Sequence, residues 1–259
     1  MGRRVESARL DQVMEPPSAG RIFEGSRRVR LSDVRPSGRL RLDAVARYLQ
    51  DVAADDVADA GIEGEVAWVV RRTVIVVTRR PRYNDELRLA TWCSGTGAAW
   101  AERRTTISVS GSVAVETCSL WASLDPVAMR PVPLAPSFFE VYPGDGPRRR
   151  VGSRLVHPAP TGPSAARTPW PLRVSDLDLL GHVNNAVAWA AIEEWRAGRA
   201  VGDVVAAEME YRSPVDTTGV LMLESAVADA EGVHPLWLRD GPTVVVSARV
   251  RTRRVVDTG

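Results

Sequence analysis

Most of the chemistry this sequence offers lies in one run, Asp176-Leu177-Asp178-Leu179-Leu180-Gly181-His182-Val183-Asn184-Asn185. Two carboxylates, an imidazole and two carboxamides crowd a turn around one glycine. The residues that follow, Ala186-Val187-Ala188-Trp189-Ala190-Ala191-Ile192, are apolar until Glu193. A surface helix keeps a polar face, so this pattern predicts a buried helix opened by a polar turn. The first amides of a helix are unpaired and carry partial positive charge. Beside them, Asp178 has the chemistry of a nucleophile or of a general base on water, and the amides that of an oxyanion site. His182, four residues on, can orient Asp178 or a water, or protonate a leaving group. The plainer alternatives are that Asp178 is a cap, His182 a turn histidine, and Asn184 and Asn185 N-caps. Glu193 and Glu194 fit a solvated face or a salt bridge. Asp176, Asp178 and His182 are too few for a metal site and have no partner cluster elsewhere, so no metal and no cofactor are expected.

The chain contains a weaker copy of this turn. Arg30-Leu31-Ser32-Asp33-Val34 matches Arg173-Val174-Ser175-Asp176-Leu177, and Gly38 matches Gly181, all at a constant offset of 143 residues. Asp33 and Asp176 occur in both copies, which points to a structural carboxylate bonded to turn amides. Asp178, His182 and Asn184 align instead with Arg35, Arg39 and Arg41. Only the second copy keeps an acid, a base and an amide. A later match, Arg79-Arg80-Pro81 against Arg212-Ser213-Pro214, extends the repeat into the strands.

The elements that position these turns follow from pattern. A short strand is expected over Arg27–Ser32, then a turn, then a helix capped by Asp43. Val45, Leu49, Val52 and Ala53 form its apolar face, Asp51, Asp55 and Asp59 its wet one, and Gly61 and Gly64 end it. Strands are expected over Trp68–Thr78, Glu86–Cys93, Ala101–Val109 and Val113–Leu124, antiparallel with short turns. Residues 125 to about 165 are rich in proline and read as a semi-extended linker that packs across both halves through Phe138, Phe139 and Tyr142. Strands over Val204–Tyr211, Val220–Ala228 and Thr243–Thr252, with a short one at Leu236–Leu238, complete the second half. The expected division is a disordered tail over 1–21, a first domain over 22–135, a linker over 136–165 and a second domain over 166–259. Two copies of turn, buried helix and antiparallel meander make an α+β architecture, best fused into one body so that edge strands are covered.

Composition narrows the function classes. At 259 residues the chain suits one large domain or two of about 130 residues. Its 34 basic and 32 acidic residues leave a net charge of +2, with no electrostatic case for nucleic acid. Every basic residue is arginine, and Arg148-Arg149-Arg150 reads as solvated linker. Cys93 and Cys118 make no disulfide framework and read as buried free thiols of a reducing compartment. No run approaches the roughly 18–20 apolar residues of a membrane span, and the polar N-terminus resembles no signal segment, so a cytoplasmic protein without membrane insertion is expected.

Ser175-Asp176-Leu177-Asp178 followed by Gly181-His182-Val183-Asn184-Asn185 resembles the signature of acyl-acyl-carrier-protein thioesterases. The shorter core Asp178, Gly181, His182 is also similar to the 4-hydroxybenzoyl-CoA-type hotdog thioesterases. Ala67-Trp68-Val69-Val70, Arg79-Arg80-Pro81, Asp85, Thr91-Trp92 and Ser119-Leu120-Trp121 fall in the family's order. The resemblance covers residues 22 to 257. It implies a tandem, double hotdog, with two long helices each wrapped by an antiparallel sheet, acting as monomer or homodimer. It implies hydrolysis of a fatty acyl thioester of acyl carrier protein or coenzyme A, held in a tunnel between the halves; a non-catalytic acyl-thioester-binding protein is the alternative. Asp178 and His182 match the catalytic aspartate and histidine, Asn184 and Asn185 belong to the substrate-binding turn, and Glu194 matches a helix glutamate. Two positions depart from the plant-type pattern: Leu180 stands for an asparagine and Pro214-Val215 for a Glu-Cys pair. Asp216 is a weak substitute for that glutamate. Chain length is expected to depend on Trp68, Trp92 and Trp121, and carrier choice on arginines at the tunnel mouth.

Overall fold

The computed structural model describes residues 16–143, 149–160, 166–197, 199, 201–215 and 220–253. The first half runs β1 (Phe23–Arg28), α1 (Leu42–Asp59), β2 (Ala67–Val77), β3 (Glu86–Thr96), β4 (Trp100–Val109) and β5 (Ser112–Leu124). A short helix, α2 (Pro136–Val141), lies in the connection. The second half runs β6 (Ala166–Trp170), α3 (Ala190–Ala197), β7 (Val204–Tyr211), β8 (Leu221–Ser225), β9 (Val233–Asp240) and β10 (Thr243–Thr252).

All ten strands join one antiparallel sheet, ordered β1-β3-β4-β5-β2-β7-β10-β9-β8-β6. Counted from either edge inward, each half places its first, third, fourth, fifth and second strands in the same sequence. The halves meet where β2 pairs with β7, from Arg72 opposite Glu210 to Val76 opposite Ala206. One core underlies both: Val45, Leu49 and Val52 of α1 bury with Trp189, Ile192 and Trp195 against Ile75 of β2 and Met209 of β7. Each such side chain removed from water contributes about 1.5–3 kcal/mol. The opposite face is crossed by the connection. Trp100 Nε1 donates to the Val151 carbonyl at 2.9 Å, Arg212 to the His157 carbonyl at 2.7 Å, and Trp237 Nε1 to the Pro158 carbonyl at 3.3 Å.

Several expectations are met. Val45, Leu49, Val52 and Ala53 are buried and Asp51, Asp55 and Asp59 exposed. β7 and β10 have the expected bounds. The first strand does not: β1 occupies Phe23–Arg28, and Leu31–Asp33 is a single 3-10 turn. Its zigzag of half-buried residues is recruited by the edge of β3, from Phe23 opposite Thr91 to Arg28 opposite Glu86. Asp43 is no cap but lies inside α1, buried, binding Arg41 and Arg47. The second helix is not long. Val187–Trp189 is a 3-10 turn and the α-helical part is Ala190–Ala197. Phe138 and Tyr142 serve the first half alone, burying with Ile62, Ala101 and Leu134. It is residues 151–158 that tie the halves together. Of the tail expected over residues 1–21, residues 1–15 lie outside the described residues, as does Arg148, while Arg21 is held by Asp56 and Asp59 near the end of α1.

Candidate active site

The two copies of the turn share most of their hydrogen bonds. Arg30 N–H donates to the Asp33 carboxylate at 2.9 Å, and Arg173 N–H to that of Asp176 at 2.8 Å. Gly38 N–H reaches the Arg35 carbonyl at 2.8 Å, and Gly181 N–H the Asp178 carbonyl at 3.0 Å. Arg41 N–H reaches the Asp33 carbonyl at 2.9 Å, and Asn184 N–H the Asp176 carbonyl at 2.8 Å. Gly38 and Gly181 sit at φ of 74° and 77°, a left-handed conformation that glycine alone adopts without strain. The shared carboxylate is structural, as the sequence suggested. Asp33 also accepts Tyr48 Oη at 2.6 Å and Arg47 at 2.7 Å.

The side chains make the copies different. In the first, Arg35 is buried and forks onto Glu193 of α3, at 2.7 and 3.1 Å. Glu193 Oε1, which takes the longer bond from Arg35, also accepts Leu42 N–H, at the start of α1, at 2.9 Å. Arg35 and Arg39 both bind Asp203, and buried Arg80 stands 3.8 Å from Glu193. Burial, then the neighbouring Arg35, pull Arg80 down to about 10, against Glu193 and Asp203. A carboxylate from the other half thus fills the anion position at the start of α1.

In the second copy that position is open. Asn185 matches Leu42 at the same offset, and its N–H has no partner among the described residues. The carbonyl of its own peptide, that of Asn184, accepts Val187 N–H at 2.9 Å, and the next peptide is held by Tyr211, whose Oη donates to the Asn185 carbonyl at 3.1 Å while accepting Trp189 Nε1 at 2.8 Å. Asn184 Oδ1 accepts Ala186 N–H at 2.8 Å, a cap on the first turn. Asp178 Oδ1 accepts the amides of Leu180 at 2.9 Å and His182 at 3.2 Å. Its Oδ2 has no partner among the described residues. His182 meets Asp178 through its backbone, as the Asp178 N–H donates to the His182 carbonyl at 2.8 Å.

These groups face a cavity of about 600 Å³ between the halves. It opens where the sheet parts: β2 is paired with β7 from Arg72 onward, while Ala67–Arg71 has no strand partner on that side among the described residues. Asp178, His182, Asn184 and Asn185 line it together with Trp68, Arg71 and Leu120 of the first half and Tyr211, Leu221 and Leu238 of the second. A second chamber of about 550 Å³ lies between α1 and its own strands, lined by Ala53, Val57, Trp68, Trp121, Phe138 and Leu179. Trp68 walls both spaces, and the Asp178–Leu180 turn reaches both. The lining of the second chamber is mostly apolar but includes Gln50, Glu63, Glu102 and Arg103, the last of which binds Asp56 and Tyr142. Burial leads the forces raising the Tyr142 hydroxyl to about 12.

Four of the five residues singled out from sequence therefore converge. Glu194 does not join them. It is exposed and lines a separate groove with Trp170, Arg173 and Trp195. Leu180 and Pro214 line the cavity, Asp216 lies outside the described residues, and Trp92 is buried without lining either space. Sequence reasoning missed Arg35, Arg80 and Tyr211, and for Glu193 it left open a solvated face or the salt bridge that the structure shows. Alignment of Arg35 with Asp178 marked the position, but nothing local pairs Arg35 with a residue 158 positions away. No group of histidine, cysteine or acidic side chains suited to a metal occurs among the described residues.

A family model described as the acyl-ACP thioesterase N-terminal domain matches residues 20–142. An uncharacterized protein of Mycobacterium tuberculosis is 31% identical over 209 residues, 78% of this chain and 82% of that protein. The chloroplastic palmitoyl-acyl carrier protein thioesterase of Gossypium hirsutum is 24% identical over 286 residues, 95% of this chain and 68% of that protein. In fold the chain is similar to a structure described as an oleoyl thioesterase from Lactobacillus plantarum, with a TM-score of 0.81 at 19% identity over 92% of this chain and 99% of that one. It is also similar to the 12:0-ACP thioesterase from Umbellularia californica, with a TM-score of 0.76 at 19% identity over 90% of this chain and 97% of that one. The α+β fold is of the hotdog type, and the chain belongs to the acyl-acyl-carrier-protein thioesterase family of thioester hydrolases.

Proposed function

We infer that this chain hydrolyses fatty acyl thioesters of acyl carrier protein or coenzyme A, and does so at one site, the turn of Asp178. The observation that carries this is the contrast between two equivalent amides. Leu42 N–H is occupied by a carboxylate, whereas Asn185 N–H has no partner among the described residues, and Asn185 lines the cavity together with Asp178 and His182. An amide fixed in a half-buried wall stabilises a developing oxyanion more than water does, because it needs no reorientation. The two halves are read as fused hotdog domains that share this one cleft, with the acyl chain passing Trp68 into the chamber beside α1.

In the reaction, water is deprotonated by Asp178 Oδ2 as its oxygen attacks the thioester carbonyl carbon. The carbonyl oxygen becomes the oxyanion and accepts Asn185 N–H. The carbon–sulfur bond then breaks, the carbonyl re-forms, and the thiolate takes the proton from Asp178. Fatty acid and free thiol leave. His182 stands on the same wall to bind water or to pass a proton. Leu180 and Pro214 can do neither, so the acid–base work falls on Asp178.

The test is turnover of acyl-carrier-protein and acyl-CoA thioesters over a range of chain lengths. Loss of a positioned general base lowers kcat by about 10²–10⁴-fold, and Asp178→Asn is expected to do so with folding unchanged. A folded Asp178→Asn protein as fast as its parent refutes the role. A parent that binds the thioesters but hydrolyses them no faster than buffer establishes instead the acyl-thioester-binding alternative, which Leu180 and Pro214 favour.

A further inference from the structure

Arg71 is the residue in the cavity wall that hydrolysis does not use. The register of β2 against β5 shifts between Val70 and Arg72, so Arg71 is the extra residue of a β-bulge. Bulges re-aim side chains and bend a strand, often beside active sites. This one falls where β2 leaves β7 and the cavity opens. The guanidinium spans the opening with a single long bond, Nη1 to the Arg212 carbonyl at 3.4 Å. No carboxylate pairs with it among the described residues. Glu210, whose charge reaches it, is already bound by Arg212 and the amides of Val156 and His157. Burial weakens its hold on its own proton. A half-buried cation with five donors and one weak acceptor is costly unless an anion completes it.

We propose that Arg71 binds the phosphoryl group of the phosphopantetheine arm, the part that both carriers share. This rests on the thioesterase reading for its choice of ligand. Three observations favour a phosphoryl group over the reacting oxygen or the far end of the acyl chain. Arg71 bonds the Arg212 carbonyl at 3.4 Å and makes no hydrogen bond or ion pair with Asp178 among the described residues, so it is set apart from the reacting carboxylate. It stands at the parting of the sheet, and the carrier arm is placed there in this proposal. The acyl chamber beside α1 is walled from it by Trp68. The planar guanidinium matches phosphoryl oxygens two at a time.

The experiment measures binding first, then turnover. Thioether analogues that cannot be hydrolysed, S-alkyl pantetheine and S-alkyl 4′-phosphopantetheine of one chain length, are titrated into the whole chain, its Arg71→Met variant and its Arg71→Lys variant. The parent is expected to bind the phosphorylated analogue roughly 10- to 100-fold more tightly, the range of a charged hydrogen-bonded contact. Arg71→Met is expected to bring the two within about twofold, and Arg71→Lys to restore part of the difference. With acyl-carrier-protein and acyl-CoA, Arg71→Met is then expected to raise KM for both and leave kcat in place. Equal binding of the two analogues by the parent overturns the proposal, and so does a preference that survives Arg71→Met. Tighter binding of an S-(ω-carboxyalkyl) pantetheine than of the phosphorylated analogue, lost in Arg71→Met, overturns it in favour of an acidic acyl chain. A phosphate preference that depends on Arg71 in a chain without turnover upholds it while refuting the hydrolase reading.

Discussion

Replacing Glu193 by glutamine tests the claim that the first copy has become a structural plug. The carboxylate is buried, takes two bonds from buried Arg35 at 2.7 and 3.1 Å, caps Leu42 at 2.9 Å and faces Arg80 at 3.8 Å. Glutamine keeps the volume and one acceptor but removes the charge. Arg35 retains Asp203, whereas Arg80 loses its nearest carboxylate while remaining buried. Removing one partner of a buried ion pair costs about 3–5 kcal/mol, because the stranded charge is no longer compensated. For a chain of this size about 2–4 °C of melting temperature accompanies each kcal/mol, so a fall of roughly 6–20 °C is expected. The double variant Arg35→Met, Glu193→Leu removes both charges and is expected to recover much of the loss. Unfolding in urea at neutral pH measures both, and turnover per folded molecule is expected to stay near the parent's. A Glu193→Gln protein within 1 kcal/mol of the parent, or one that stays stable but loses turnover, refutes the plug.

Two further outcomes follow from the paired turns. Burial raises the Asp33 carboxyl, but hydrogen bonds from Tyr48, Arg30 and Arg47 outweigh it and hold the group below its ordinary 3.8. A depressed folded value gives stability that is present above the unfolded value and lost as pH falls through the folded one. Asp33→Asn is therefore expected to melt lower at neutral pH and to converge with the parent below about pH 3.8; a constant gap across an acid titration contradicts this. An added Cβ meets nothing within 4 Å at Gly38 or Gly181, so alanine there costs backbone strain alone, about 1–2 kcal/mol. Melting is expected to fall equally for Gly38→Ala and Gly181→Ala, with turnover falling only for the second, and equal loss of turnover counts against a single site.

Local pattern carried much of the fold and fell short where distant partners decide. The apolar spacing of α1 and the β-branched runs of β7 and β10 are local facts, and their bounds were legible. β1, with the sequence Phe-Glu-Gly-Ser-Arg-Arg, has no apolar alternation and exists because β3 offers an edge. β9 reads from sequence as three residues, Leu236–Leu238, and a proline within a strand is confined to places where no ladder N–H is needed. It runs from Val233 to Asp240, with Pro235 opposite Arg249. The turn of Asp178 was legible because the chain holds its own control, the copy at Asp33. Glu194 was chosen over Glu193 on resemblance, since their sequence cannot say which faces Arg35. The bulge at Arg71 likewise depends on the register of two strands, which no single strand encodes.

Joining the halves through β2 and β7 has a consequence for how such a protein can change. Where two identical subunits meet about a twofold axis, every substitution is made twice, and a carboxylate that blocks one cleft blocks both. A covalent tandem is released from that constraint. Arg35 and Glu193 pair across the first turn while its counterpart keeps an aspartate and a histidine at the matching positions. Assembly of the shared sheet is also unimolecular, so dilution that would dissolve a pair of separate subunits leaves this interface intact.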